Sequence, residues 1–274
     1  MVGWRDGVLL ALIAGLGGVS SAAAQEPQPA AIPCGGETIA HGSASRVIDG
    51  RTLVLDDGRE VRLAAIEVPP LAQEADAAPG GTAAKQTLAE IVASAEIVLK
   101  RAEVPSDRYG RVLAFAFVRS DGVERSVQAD LIAAGFARVA GRVGARACAA
   151  ELLGLEHAAR RAKLGLWADS YYEPLSADNP AEVLASRGRF ALVEGKVVSV
   201  RESGATIFVN FGRRWTEDFT VTILKRNGRN FAAGGLEPKQ LAGRRVRVRG
   251  WIEERGGPWI EATRPEQIEL TDRE

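Results

Sequence analysis

The run V-I-D-G-R-T-L-V-L-D-D-G-R-E-V-R-L-A-A-I-E-V-P-P, Val47 to Pro70, reads as two strands around a turn. Thr52-Leu53-Val54-Leu55 is rich in residues that suit a pleated surface, and Asp57-Gly58 is a hairpin-turn signal. Val61-Arg62-Leu63 begins the return. Pro69-Pro70 cannot donate to a ladder and so ends it. Charged side chains (Asp49, Arg51, Arg62, Glu67) sit among the apolar ones on both arms. On pattern alone they form a solvated face.

Two further stretches alter that reading. Asp107-Arg108-Tyr109-Gly110-Arg111-Val112-Leu113-Ala114 is a turn entering a strand. Glu151 to Trp167, E-L-L-G-L-E-H-A-A-R-R-A-K-L-G-L-W, is a helix ending in Gly165-Leu166-Trp167. In this order and spacing the three stretches resemble the staphylococcal nuclease (thermonuclease) family, over roughly Ser45 to Asp169. The D-x-Y-G-R-x-L-A motif is the most specific element. The resemblance implies an α+β fold, mainly β with helices: a five-stranded oligonucleotide-binding (OB-type) barrel carrying three helices.

The rest of the chain sets the context. Met1 to Ala24 has Arg5, an apolar run from Val8 to Val19 and a small-residue tail, the pattern of a secretory signal peptide. Its apolar core is short for a membrane span, so no stable span is expected after cleavage. The protein is then periplasmic or secreted. Residues 25–44, rich in Pro, Ala and Gly, read as a leader. Residues 45–170 make the nuclease-like domain, 171–187 a Pro-punctuated linker and 188–272 a second domain. Formal net charge is zero, which argues against a simple basic coat for nucleic acid. The balance is uneven, because residues 186–274 hold 17 basic and 12 acidic side chains. The two cysteines, Cys34 and Cys148, suit a disulfide in an oxidising compartment. His41 and His157 are the only histidines, so neither a zinc site nor a Ser-His-Asp arrangement is evident.

Within the first domain, Thr82 to Ala95 has helical spacing with Thr82 as N-cap. Glu96 to Glu103 and Val112 to Val118 alternate as strands. Val127 to Gly135 is a short helix closed by glycine, and Arg146 to Leu164 a longer amphipathic one.

Phosphodiester hydrolysis wants a metal on the phosphoryl oxygen, a carboxylate to orient water and cations for the developing charge. The resemblance implies calcium for the first, a glutamate for the second and two arginines for the third. Arg62 and Arg111 match the clamp arginines, and Asp49 matches the first aspartate of the family's D-G-D-T. The second aspartate, a calcium ligand, is Arg51 here. The family's D-T-P-E is Glu67-Val68-Pro69-Pro70, so the base position holds Pro70. Exchanging a carboxylate for arginine moves the local charge by two units, each worth roughly 4 kcal/mol against a neighbouring charge at ~4 Å and an effective dielectric near 20. Calcium wants six to eight oxygens and has a place only if Asp49 and Glu67 still form a site. No cofactor and no metal site is otherwise expected. Arg51 either pairs with Glu67 or Asp49, or joins Arg62 and Arg111 in a three-arginine anion pocket, with Arg108 adjacent. The competing readings are an inert network of neutralised arginines, and a rewired hydrolase drawing on Glu67, Asp107 or Glu74. Arg138 to Val143 offers no aromatic ring for base stacking.

In the second domain Phe190 to Val200, Thr206 to Phe211 and Asp218 to Leu224 read as strands. A helical stretch ends near Gly243, and Arg245 to Glu253 and Trp259 to Leu270 follow as two more. Three strands, a helix and two strands is the order of an OB-like β-barrel. Phe208, Phe211, Arg213, Arg214, Trp215 and Phe219 interleave rings with cations, as single-strand binding does. The alternative is that these rings fill the interior. Arg245, Arg247 and Arg249, at period two, read as an electrostatic patch. Taken together, the sequence describes an exported protein that binds nucleic acid or another polyanion, with hydrolysis absent or weak at Arg62, Arg111 and Glu67. The alternatives are a divergent nuclease and a protein-interaction module of the cell envelope with a protein partner.

Overall fold

The hairpin at the centre of the first half forms as its sequence predicts. In the computed structural model, Thr52–Leu55 (β3) and Glu60–Leu63 (β4) pair antiparallel, with Thr52 opposite Arg62. Gly58 adopts φ +85°, and the Asp57 carboxylate accepts the Arg59 N–H at 3.0 Å. Leu53, Leu55, Val61 and Leu63 turn inward and are buried. Arg62 therefore faces the other way, which is the first step in building the site.

The description covers Met1 and residues 33–71, 78–214 and 216–271. The signal-peptide reading of 1–24 and the side chains of Glu74 and Trp215 lie outside it. Residues from Ala31 to Glu274 make one compact unit. Its first half runs β1 (Thr38–Gly42), β2 (Ala44–Asp49), β3, β4, β5 (Ile66–Glu67), α1 (Gly81–Val92), β6 (Glu96–Ser106), β7 (Val112–Ser120), β8 (Val123–Ser126), α2 (Val127–Ala133), β9 (Arg138–Val139) and α3 (Arg146–Arg161). The second half runs β10 (Leu175–Ser176), α4 (Pro180–Ala185), β11 (Phe190–Lys196), β12 (Ser199–Ser203), β13 (Thr206–Asn210), β14 (Thr220–Leu224), α5 (Gly228–Ala233), β15 (Arg245–Trp251), β16 (Glu253–Arg255), β17 (Gly257–Glu261) and β18 (Ile268–Leu270). The fold is mixed α+β.

Strands of the first half lie in the order β1-β6-β7-β4-β3-β2, with β8 on β7, and β5 pairs with β9. Two sheets make the second half: β10-β11-β15-β18 and β12-β13-β14-β17-β16. Among the described residues neither set of pairings closes on itself, so the barrels of the sequence reading are seen as open sheets. Thr38–Gly42, inside the stretch read as a leader, is a strand paired with β6. The single strand read over Phe190 to Val200 is two. Val197 donates to Arg244 O and Val198 to Asn210 O, so the chain changes sheets between them. Alternation continues through such a crossing, which is why the sequence shows one run.

Each half has its own apolar core, one from Cys34 to Leu152 and one from Ala177 to Ile268. The Cys34–Cys148 disulfide is formed and anchors the N-terminal segment to α3. Closing a loop of 114 residues is worth about 4–5 kcal/mol in the chain-entropy account. Of the arginine series of β15 only Arg245 is on the surface. Arg247 and Arg249 are buried. Arg247 pairs with Glu194 at 2.5 Å, and Arg249 makes two 2.9 Å bonds to Glu156 of α3 and a further pair with Glu269. Arg249 also donates to Val139 O at 3.0 Å. This network joins the two halves. Among the described residues no helix is long and apolar enough to cross a membrane.

Candidate functional site

Arg51 follows the tight turn between β2 and β3. Its N–H donates to the Asp49 carboxylate at 2.8 Å. Its guanidinium donates to Ile66 O at 3.1 Å and forms a close ion pair with Glu67, whose side chain is 15% exposed. The pair is made because β5 returns beside the β3–β4 hairpin. Arg111 follows the Asp107–Gly110 turn. The Asp107 carboxylate accepts its Nε–H at 2.7 Å, along with the N–H groups of Tyr109 and Arg111, and Glu60 lies 3.7 Å away. Burial works to raise the Asp107 carboxyl, but the Arg111 hydrogen bond and these N–H groups hold it below its ordinary range.

Arg62 differs from both. Among the described residues its guanidinium has no hydrogen bond and no ion pair. Burial, then the like charges of Arg51 and Arg111, pull it below the usual arginine range, against weaker help from Glu67 and Asp49. It remains a cation at neutral pH. Together Arg51, Arg62, Arg111, Asp49 and Glu67 line a cavity of about 570 Å³. The structure thus gathers the three arginines read from the sequence, neutralises two of them and leaves the third facing open volume.

The remaining candidates are distributed differently. Arg108 does not line the cavity; its guanidinium sits on the exposed Tyr109 ring, with Nη2 2.6 Å from the Tyr109 hydroxyl. Arg213 lines a separate groove of about 930 Å³ on the β12–β16 sheet, together with Phe208. Arg214 pairs with Glu217 at 2.8 Å. Neither lines the cavity around Arg62. Phe211 and Phe219 are core residues packed on each other, so among the described residues Phe208 is the interleaved ring that faces the groove.

The same cavity holds residues that motif reading did not single out: Arg138, Tyr171, Tyr172, Arg189, Phe190 and Trp251. Arg138 stands opposite Glu67 in the β5–β9 pair. It is buried between the Tyr172 and Phe190 rings, donates to Phe190 O at 2.6 Å and leaves its Nε–H unpartnered. Burial lowers its pKa. A cation placed after a Gly-closed helix was the available signal. Nothing local marks Arg189 or Trp251.

The carboxylates present do not suit a calcium ion. Asp49 is engaged by a backbone N–H, Glu67 carries the Arg51 guanidinium, and Arg51 and Arg62 bring positive charge to the same place. Among the described residues no three His, Cys, Asp or Glu side chains converge as a metal cluster. A divalent ion would lack oxygens and meet repulsion.

Strand order, the hairpin arginine and the D-R-Y-G-R turn define a nuclease-type α+β domain, and residues 60–169 match the family described as staphylococcal nuclease homologue, to which the chain belongs. It is similar to Protein ParB of Escherichia coli, at 34% identity over 137 residues, spanning 47% of this chain and 73% of that protein. Arg62, Glu67, Arg111 and Arg138 fall within the family span, whereas Arg189, Phe190 and Trp251 fall outside it.

Proposed function

We propose that this protein binds nucleic acid or a similar polyanion at the arginine cavity, without calcium and without efficient hydrolysis. The observation that carries the reading is Arg62, a half-buried guanidinium with no carboxylate of its own, flanked by two more arginines. Such a charge is costly unless an anion completes it. A phosphate matches the arginine fork, and successive phosphates match a row of them. Hydrolysis is disfavoured because Glu67 is tied to Arg51 and Pro70 stands where the family's base would be. Export fits the N-terminal segment and the disulfide.

The test is binding of a labelled oligonucleotide across a salt series in chelator, with cleavage followed in calcium. Arg62→Ala is expected to weaken binding about tenfold and to reduce the salt slope by about one. It removes no internal hydrogen bond, so folding is spared. Equal affinity of Arg62→Ala and wild type would overturn the reading. Family membership favours a divergent nuclease as the second reading. Calcium-dependent cleavage lost in Arg111→Ala would establish it. No binding and no cleavage would leave a protein-interaction module.

A further inference from the structure

The family-matched span stops at residue 169, but the cavity around Arg62 does not. Its far wall is built by Tyr171, Arg189, Phe190 and Trp251. Trp251 ends β15, and its side chain is the unusual one. It is 49% exposed, whereas Trp167 and Trp259 are 5% and 4% exposed. Phe190 meets it edge-on, with centroids 6.0 Å apart, and fixes one side of the indole. A large ring held by one neighbour and open elsewhere is the kind of feature that marks a contact surface.

Trp251 also lines the adjoining cavity of about 490 Å³, as do Arg51, Arg62, Glu67 and Phe190. The two cavities adjoin at this wall, and Arg51 and Arg62 line both. In the cavity around Arg62 five arginines (Arg51, Arg62, Arg111, Arg138 and Arg189) face the carboxylates of Asp49 and Glu67. The complement of such a cavity is an anionic chain that also carries flat rings. Bases in a duplex are stacked on each other and offer no free face, and a phosphate-only polymer has no ring. We infer that the cavity takes single-stranded nucleic acid, with Trp251 stacking a base beside a phosphate held at Arg62. This inference rests on the anion-binding reading of the same cavity. It gives the second half of the chain a role in recognition beside the arginines of the first half, whose Arg138 to Val143 stretch has no ring.

Two labelled single strands of equal length, one with bases and one abasic throughout, separate the terms when both are titrated in chelator. Wild type is expected to bind the base-bearing strand about tenfold more tightly. Trp251→Ala should lose most of that preference while holding its affinity for the abasic strand, and Trp251→Phe should keep part of it. Retention of the full preference by Trp251→Ala would overturn the role of Trp251. So would equal binding of the two strands by wild type, with the anion site intact. If wild type binds neither strand, both readings fall. Trp251→Phe, which keeps the ring against Phe190, separates a lost stack from a disturbed sheet.

Discussion

Arg51 changes what its neighbours can do. Its guanidinium neutralises Glu67, and its N–H donates to the Asp49 carboxylate. Pairing Glu67 with Arg51 leaves Arg62 as the uncompensated charge of the cavity. Glu67→Gln should release Arg51 toward the cavity. Since a unit charge nearby is worth up to roughly 4 kcal/mol before solvent discounts it, oligonucleotide affinity should rise at least several-fold in a salt titration, and Arg51→Ala should lower it. Unchanged affinity in both variants would mean that the Arg51–Glu67 pair is inert. The arginines of the hairpin and of the Asp107 turn were legible because each sits in a short motif. Arg138, Arg189 and Trp251 were not, because they reach the cavity from separate segments of the chain and no local pattern records their meeting.

Among the elements, the α2–α3 connection is set by glycine. Gly135 follows α2 at φ +80°, and a Cβ there would lie 2.2 Å from Leu164 O, because the segment after α3 runs against it. Leu166 N–H donates to Gly135 O at 2.9 Å in the same contact. Gly135→Ala combines a strained φ with a backbone clash, and is expected to cost more than about 2 kcal/mol by urea titration. Helix α2 and its closing glycine were readable from the sequence, as was the helical run that became α3. The fate of β15 was not. One of its faces supplies Val246 and Val248 to the second core, and the other meets α3 through Arg249 and Glu156. Period two predicts that Arg247 and Arg249 share a face. It does not say that a carboxylate-bearing helix covers that face.

Across the whole molecule, charge is managed by pairing the halves. Glu156, Arg249, Glu269 and His157 form a chain of contacts from α3 to β18. Burial opposes ionisation of both Arg249 and Glu269, but the two Glu156 and Glu269 carboxylates keep Arg249 charged. Arg249 and His157 likewise hold Glu269 well below the usual carboxylate range. A carboxylate depressed in the folded state stabilises above its unfolded pKa of about 4.3 and loses that contribution as pH falls toward its folded value. Wild type should therefore exceed Glu269→Gln in stability by about 2 kcal/mol at neutral pH, with the gap closing below about pH 4 in thermal melts. A gap independent of pH would mean that Glu269 acts by packing alone. A zero net charge therefore conceals local imbalance: Arg51 and Arg111 of the cavity are answered by acids, whereas Arg62 beside them is not.

The sequence alone determined what neighbours along the chain determine. Strand periodicity, the Asp57-Gly58 turn, the glycine-closed helix, the cysteine pair and the exchange of an acid for Arg51 are all local or motif-borne. The tertiary structure decided which charges are neutralised and which ring stands beside them. Arg62 is left open because Glu67 is drawn to Arg51 and Asp107 to Arg111, and Trp251 reaches the same cavity from the last third of the chain. Such outcomes depend on distances of a few ångströms between remote residues, where Coulomb energy and burial change most steeply, and spacing along the chain carries no measure of those distances.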